Sequence, residues 1–253
     1  MNDELLSQHC AAIEQCNQRG ERMLSLVDLI DAGTVDTPLA GYLAAMMRRG
    51  ASLLVGARPG GAGKTTVMCA LLNFLPDDAV IRAVDSPRVL REAECAVAHD
   101  MTCFIAHEIG SGPYFAYLWG RDARDFLALR AAGRCIASNL HCDTIDETYA
   151  QLCAQNPCAR DHVASVDLKV FLRVDRTGGH GARRVVHRVY ESDGTADRLV
   201  WQADGRSGFV RVAHSGRVRA EDETVHASLL ENLRGNNVRT IDAVRRSITA
   251  RSA

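Results

Sequence analysis

From residue 3 to 32 apolar side chains recur at helical intervals, with Leu5, Leu6, Ile13, Leu24, Leu26, Leu29 and Ile30 on partly amphipathic faces, and Gly33 ends the pattern. Thr37-Pro38 reads as an N-cap followed by proline at the first helical position. The helix it opens carries Leu39, Leu43 and Met46 on one side and meets Gly50 where a terminating glycine is wanted. A short apolar run, Ser52 to Val55, a glycine-rich loop and a helix from Thr65 to Leu75 follow as strand, loop, helix. The alternation recurs with a strand over Ala79 to Val84, a helix over Val89 to Ala98 and a strand over Met101 to Ala106. It continues with a helix over Arg121 to Ala132, a strand over Cys135 to Leu140 and a helix from the capping-box spacing Thr144-x-x-Glu147 to about Cys153. Apolar strands alternating with helices predict a mostly parallel sheet covered on both faces.

Beyond about residue 165 the period shortens to two. Val166, Leu168, Val170, Leu172 and Val174 alternate with polar partners, Thr177-Gly178-Gly179 marks a turn, and Arg184 to Tyr190 returns. Strands near Arg198 to Trp201 and Phe209 to Val212 extend an antiparallel region. Helices over 222–234 and 240–250, separated by Gly235-Asn236-Asn237, close the chain. The expected division is a helical lead over 1–36 and one main domain over 37–253, which includes the β extension of about 165–215 and the final helices of about 222–250.

Composition narrows the class. With 253 residues, 47% apolar, 24% charged and net charge −1, the chain is neither disordered, collagen-like nor a coiled-coil rod, and the balanced charge gives no field for nucleic acid. No apolar run approaches the ~18 residues of a spanning helix, and MNDELLSQHC lacks the flank and core of a signal peptide, so a soluble, cytoplasmic protein is expected. The nine cysteines are scattered and never spaced C-x-x-C, which fits reduced, buried small hydrophobes. Cys142 adjoins His141, but no second ligand pair accompanies them. Of thirty basic residues only Lys64 and Lys169 are lysine, so a lysine retained in Gly-Lys-Thr-Thr points to chemistry that arginine does not serve.

That chemistry is phosphate binding. Gly56-Ala57-Arg58-Pro59-Gly60-Gly61-Ala62-Gly63-Lys64-Thr65-Thr66 lies directly after an apolar strand and before a helix, the context of a phosphate-binding loop. Backbone N–H groups from Gly60, Gly61, Ala62 and Gly63 through Thr66 would surround the phosphates, Lys64 would reach the β and γ phosphates of ATP, and the Thr65 hydroxyl would ligate Mg²⁺. The usual first glycine falls at Arg58, so either the turn tolerates arginine or the loop is one residue longer. Glu108, ending the strand Met101 to Ala106, is the candidate acid for the metal's water shell or the attacking water. His107 reads as a polar neighbour.

Together, these segments resemble the secretion ATPases of type II and type IV systems, which include pilus, archaellum and conjugation motors. The likeness runs from Leu24 to Ile248 through Leu29 to Thr34, the loop, Leu71 to Pro76, Val84-Asp85-Ser86-Pro87, His107-Glu108-Ile109 and Ser138-Asn139-Leu140-His141. It implies a RecA-like P-loop NTPase core in a hexameric ring with ATP and Mg²⁺ between subunits. In it Glu108 would be the Walker B acid, His141 a γ-phosphate sensor and Asp85 an aspartate-box residue near the metal. The partners it implies are envelope-associated secretion or pilus machinery, with membrane association only through them. Position 84 is valine where the family carries glutamate, and Gly110 to Gly120 replaces its Arg-Asp-x-Glu-Thr. The aromatic block Tyr114, Phe115, Tyr117 and Trp119 either packs into the core, the first reading, or forms a contact surface. Arg121, Arg124, Arg130 and Arg134 are equally candidates for a finger on a neighbour's phosphates and for exposed helix-face ion pairs. The alternatives to a motor are a nucleotide-binding regulatory or structural subunit without turnover and, less favoured, a nucleic-acid translocase.

Overall fold

The computed structural model describes residues 3–16, 22–95, 101–176, 182–205 and 208–250. In chain order the elements are α1 (Asp3–Glu14), α2 (Leu26–Asp31), α3 (Thr37–Arg48), β1 (Leu53–Gly56), α4 (Lys64–Leu72), β2 (Val80–Ala83), α5 (Pro87–Cys95), β3 (Thr102–Ile109) and β4 (Tyr117–Leu118). Then come α6 (Arg121–Ala131), β5 (Cys135–Leu140), α7 (Ile145–Tyr149) running into a π-helical turn (Ala150–Gln155), α8 (Arg160–Ala164), β6 (Leu168–Arg176), β7 (Ala182–Ser192), β8 (Asp197–Ala203), β9 (Phe209–Arg211), α9 (Ala220–Gly235) and α10 (Ile241–Thr249).

One sheet runs β2-β3-β5-β1-β6-β7-β8-β9, with β4 beside the end of β3. Strands β2, β3, β5, β1 and β6 are parallel, and β6, β7, β8 and β9 are antiparallel. This is the expected α/β class: a mostly parallel core, an antiparallel extension and C-terminal helices. Period-two alternation splits the parallel strands between two cores. Leu53, Val55, Cys103 and Ile105 face α1 to α4, α9 and α10, whereas Leu54, Phe104, Ile136 and Leu140 face α5 to α8. Helix α3 meets α9 so closely that a Cβ on Gly41 would lie 2.6 Å from the Glu223 carbonyl oxygen. Among the described residues no helix is long and apolar enough to cross a membrane.

Several expectations need correction. The helix read over 3–32 is two helices, α1 and α2. The second opens on a capping box in which the Ser25 side chain accepts from Asp28 N–H and the Asp28 carboxylate accepts from Ser25 N–H, a signal hidden inside the longer apolar periodicity. Asp36, not Thr37, caps α3, its carboxylate accepting from Leu39 N–H, so Pro38 is one residue deeper than read. At α7 the Thr144 hydroxyl accepts from Glu147 N–H as expected, but the Glu147 carboxylate turns to Asp143 N–H and the box is half formed. Residues 96–98 of the expected third helix and the turn Thr177-Gly178-Gly179 lie outside the described residues. The aromatic block is not core: Tyr114 is 65% exposed and Phe115 52%, and Trp119 is also exposed, leaving Ala116 and Leu118 buried.

Candidate functional site

Because β5 lies between β1 and β3, the C-terminal ends of three adjacent parallel strands deliver their loops to one place. From β1 the chain enters the glycine-rich loop, whose first residue is held by a hydrogen bond from Ala57 N–H to Leu140 O at 3.2 Å. Gly61 (φ +75°) and Gly63 (φ +92°) adopt the left-handed conformation that residues with side chains resist. Arg58 does not have positive φ, so the turn tolerates it. Its N–H donates to Asp143 Oδ1 at 2.8 Å, and its guanidinium pairs with Glu147, which ties the loop to the start of α7. Helix α4 opens at Lys64 without a side-chain cap, leaving its first N–H groups to serve an anion.

Lys64, only 8% exposed, folds back so that Nζ donates to Ala57 O at 3.1 Å and lies 3.3 Å from Glu108 Oε2. The other Glu108 oxygen is 2.6 Å from His141 Nε2, and His141 Nδ1 is 3.3 Å from Arg58 O. Pairing between β3 and β5 slips between Ala106 and Ile109, which lets both His107 and Glu108 be buried at the strand's end. Tyr117 on β4 has its phenol pushed up from the usual value, by burial first and then by the Glu108 charge beside it. From β5, Asn139 Nδ2 donates to Thr65 Oγ1 at 3.2 Å and to His107 O at 2.7 Å.

Of these residues Gly61, Gly63, Lys64, Thr65, Glu108, Tyr117 and His141 line a cavity of about 700 Å³ together with Gly60, Ala62 and Thr66. Its far wall brings residues that sequence reading missed: Met23, Leu24 and Leu172 as apolar surface, and Arg22, Arg183 and Arg184 as cations. Arg184 Nε donates to Gly61 O at 2.7 Å, clasping the loop from β7. No local motif marks a contact that joins positions so far apart in the chain. Asp85 is not brought here. It is exposed after β2, at the far side of β3, with Ser86 Oγ donating to its carboxylate at 3.1 Å. Val84 is fully buried in the core over Leu54 and Phe104, where a carboxylate would have no solvent. Arg121 pairs with Asp125, Arg124 donates to Asn156 O, Arg130 binds Asp167 and Arg134 reaches Ala93 O, and none of the four lines this cavity.

The donor set fits a nucleotide's phosphates: an ammonium, two left-handed glycines and an uncapped helix start face one concave space. For a magnesium ion the fit is Thr65 Oγ1 alone, which accepts from Asn139 and retains a lone pair. Among the described residues no group of His, Cys, Asp or Glu forms a metal cluster, so phosphate oxygens and water would supply the remaining ligands.

No protein-family model and no curated protein matches the chain. Among solved structures it is similar to the VirB11 ATPase from the Brucella suis type IV secretion system, determined in complex with sulphate, at 20% identity and TM-score 0.47, over 67% of this chain and 55% of that one. It is also similar to the Legionella pneumophila ATPase DotB, at 10% identity and TM-score 0.40, over 88% of this chain and 57% of that one. The chain thus spans little more than half the length of either structure.

Proposed function

We propose that the chain is an ATPase of the secretion-motor type, hydrolysing the γ-phosphate bond of Mg·ATP in the cavity at the head of α4. The observation that carries this reading is the convergence of Lys64, Glu108 and His141 at hydrogen-bonding distances beside a left-handed glycine loop. The loop N–H groups and the Lys64 ammonium hold phosphate oxygens and offset charge developing on them in line with the leaving group. Magnesium, bound with the nucleotide at Thr65, supplies further charge neutralisation. Glu108 orients a water towards the γ-phosphate and accepts its proton, and His141, donating to the same carboxylate, fixes which oxygen faces the water. Arg184 holds Gly61 so that the loop keeps its shape.

In this reading subunits assemble as a hexameric ring at the cytoplasmic face of an envelope machine, with ATP shared across the interface. Light scattering with a non-hydrolysable ATP analogue should show growth in mass relative to the ligand-free chain. A strict monomer at tens of micromolar under saturating analogue would remove the ring. One observation favours a binding-only subunit instead: among the described residues Glu108 is the only carboxylate lining the cavity. Steady-state phosphate release at rising protein concentration, wild type against Glu108→Gln, decides between them. Equal, negligible rates in oligomeric protein would leave the binding-only reading.

A further inference from the structure

The floor of the same cavity carries a group that phosphate chemistry does not use. Cys16, just past α1, lines the cavity although it is almost fully buried, and its Sγ sits 3.6 Å from Ala12 O. Cys69, mid-way along α4, aims its own Sγ at the next carbonyl, Ile13 O, at 3.9 Å. Cys16 N–H also donates to Ile13 O at 3.1 Å, so both cysteines crowd the same two neighbouring carbonyls, and Cys69, then His107 from β3, are the side chains that act on the Cys16 thiol. Two sulfurs and an imidazole therefore meet where the first helix touches the helix that begins with Lys64.

We infer that Cys16 is an oxidisable thiol opening on the cavity and that Cys69 is its resolving partner, so that a hydroperoxide converts the pair into a disulfide tying the end of α1 to α4. Cys69 first, and His107 after it, draw the Cys16 thiol below its usual value against the opposing pull of burial, the direction that favours thiolate. In the first step the Cys16 thiolate attacks an oxygen of hydrogen peroxide. An S–O bond forms, the O–O bond breaks, sulfur loses two electrons, and the released hydroxide takes a proton to become water. In the second the Cys69 sulfur attacks Cys16 Sγ. The S–S bond forms, the S–O bond breaks, and the departing hydroxide leaves as a second water with the Cys69 proton. The cross-link would pin α4, and with it Lys64 and Thr65, to α1. Cys103 and Cys135 supply the internal control: they are register partners on β3 and β5, absent from this cavity, and the Cys103 thiol is held well above its usual value by Cys135 and by burial.

The test uses the full wild-type chain, reduced, exposed to a few equivalents of hydrogen peroxide, alkylated after denaturation and mapped by mass. The expected product joins the Cys16 and Cys69 peptides with loss of two hydrogens, and Cys16 is consumed at least about tenfold faster than Cys103. In Cys69→Ser a dimedone adduct should instead collect on Cys16. Cys16 reacting no faster than Cys103, or pairing with other cysteines as often as with Cys69, overturns the inference. The pairing is read without nucleotide, so it stands apart from the ATPase reading. Repeating it with saturating Mg·ATP should slow Cys16 oxidation. A cross-link that forms at the same rate with Mg·ATP upholds the thiol pair and counts against nucleotide in the cavity.

Discussion

The chain's two lysines are both buried beside a carboxylate, yet they serve opposite ends. Lys169 on β6 is 1% exposed. Its Nζ donates to Asp197 Oδ1 at 2.7 Å and to Val166 O at 2.9 Å, while the Tyr149 hydroxyl donates to Asp197 Oδ2 at 2.7 Å. Burial draws the Lys169 pKa down, and Asp197 opposes that pull. Every part of this pair is enclosed by protein. Lys64 has one carbonyl and a longer 3.3 Å approach to Glu108, and its remaining side opens on a cavity of about 700 Å³. Burial of a cation therefore does not mark a site. A cation with donor capacity left over, facing space, does.

The contrast can be broken in four ways. The largest effect belongs to the carboxylate beside Lys64: Glu108→Gln should lower steady-state turnover by roughly two to four orders of magnitude while retaining ATP affinity, because an amide cannot take the water's proton. Lys169→Ala should leave nucleotide binding untouched and cost about 3–5 kcal/mol in urea unfolding, since Asp197 would remain buried without its cation. A mutant as stable as wild type would show that Lys169 is no staple. Lys64→Ala should do the reverse, weakening Mg·ATP by roughly ten- to hundredfold in calorimetric titration with little change in melting temperature. The smallest effect concerns a third buried base, His9, whose pKa burial and then Arg245 bring down from 6.5 to about 3. The unfolded chain takes up a proton below pH 6.5 that the folded chain refuses until about pH 3, so this stability is complete above 6.5 and lost as pH falls through that window. Between pH 7 and 5 the loss should be about 2 kcal/mol, and His9→Leu should abolish the His9 share of the slope.

The parallel core and the glycine loop were legible because their signals are local: apolar strands bounded by turns, and Gly-Lys-Thr-Thr at a strand-to-helix junction. Glu108 was legible for the same reason, as an acid ending a buried strand. Arg183 and Arg184 were not, since only the lateral order of strands brings them to the loop, and Asn139, though inside the Ser138 to His141 stretch, had no contact to Thr65 that a linear reading could show. Asp85 was expected by resemblance to adjoin Thr65. β2 ends at the same side of the sheet, but β3 and β5 stand between it and β1, and Asp85 is not among the residues that line the cavity. The exposed aromatics misled because hydrophobicity counts Tyr114 and Phe115 as interior. Here β4 uses a short parallel pairing with β3 to hold the segment out, with Ala116 at φ +53°.

Strand β6 is bonded in parallel to β1 and antiparallel to β7. One hydrogen-bonded sheet, with register shifts at Phe171/Leu172 and Val189/Tyr190, therefore couples the loop-bearing strand to β9, four strand spacings or about 19 Å away. Arg184 closes a second route between the same parts, from β7 directly onto Gly61. In mechanical language the extension is a lever with two attachments to its fulcrum. A force applied at the outer strands would have two routes to the glycine loop, along the bonded strands and through the Arg184 guanidinium, and the second does not pass the register shift between β6 and β7 that lies along the first.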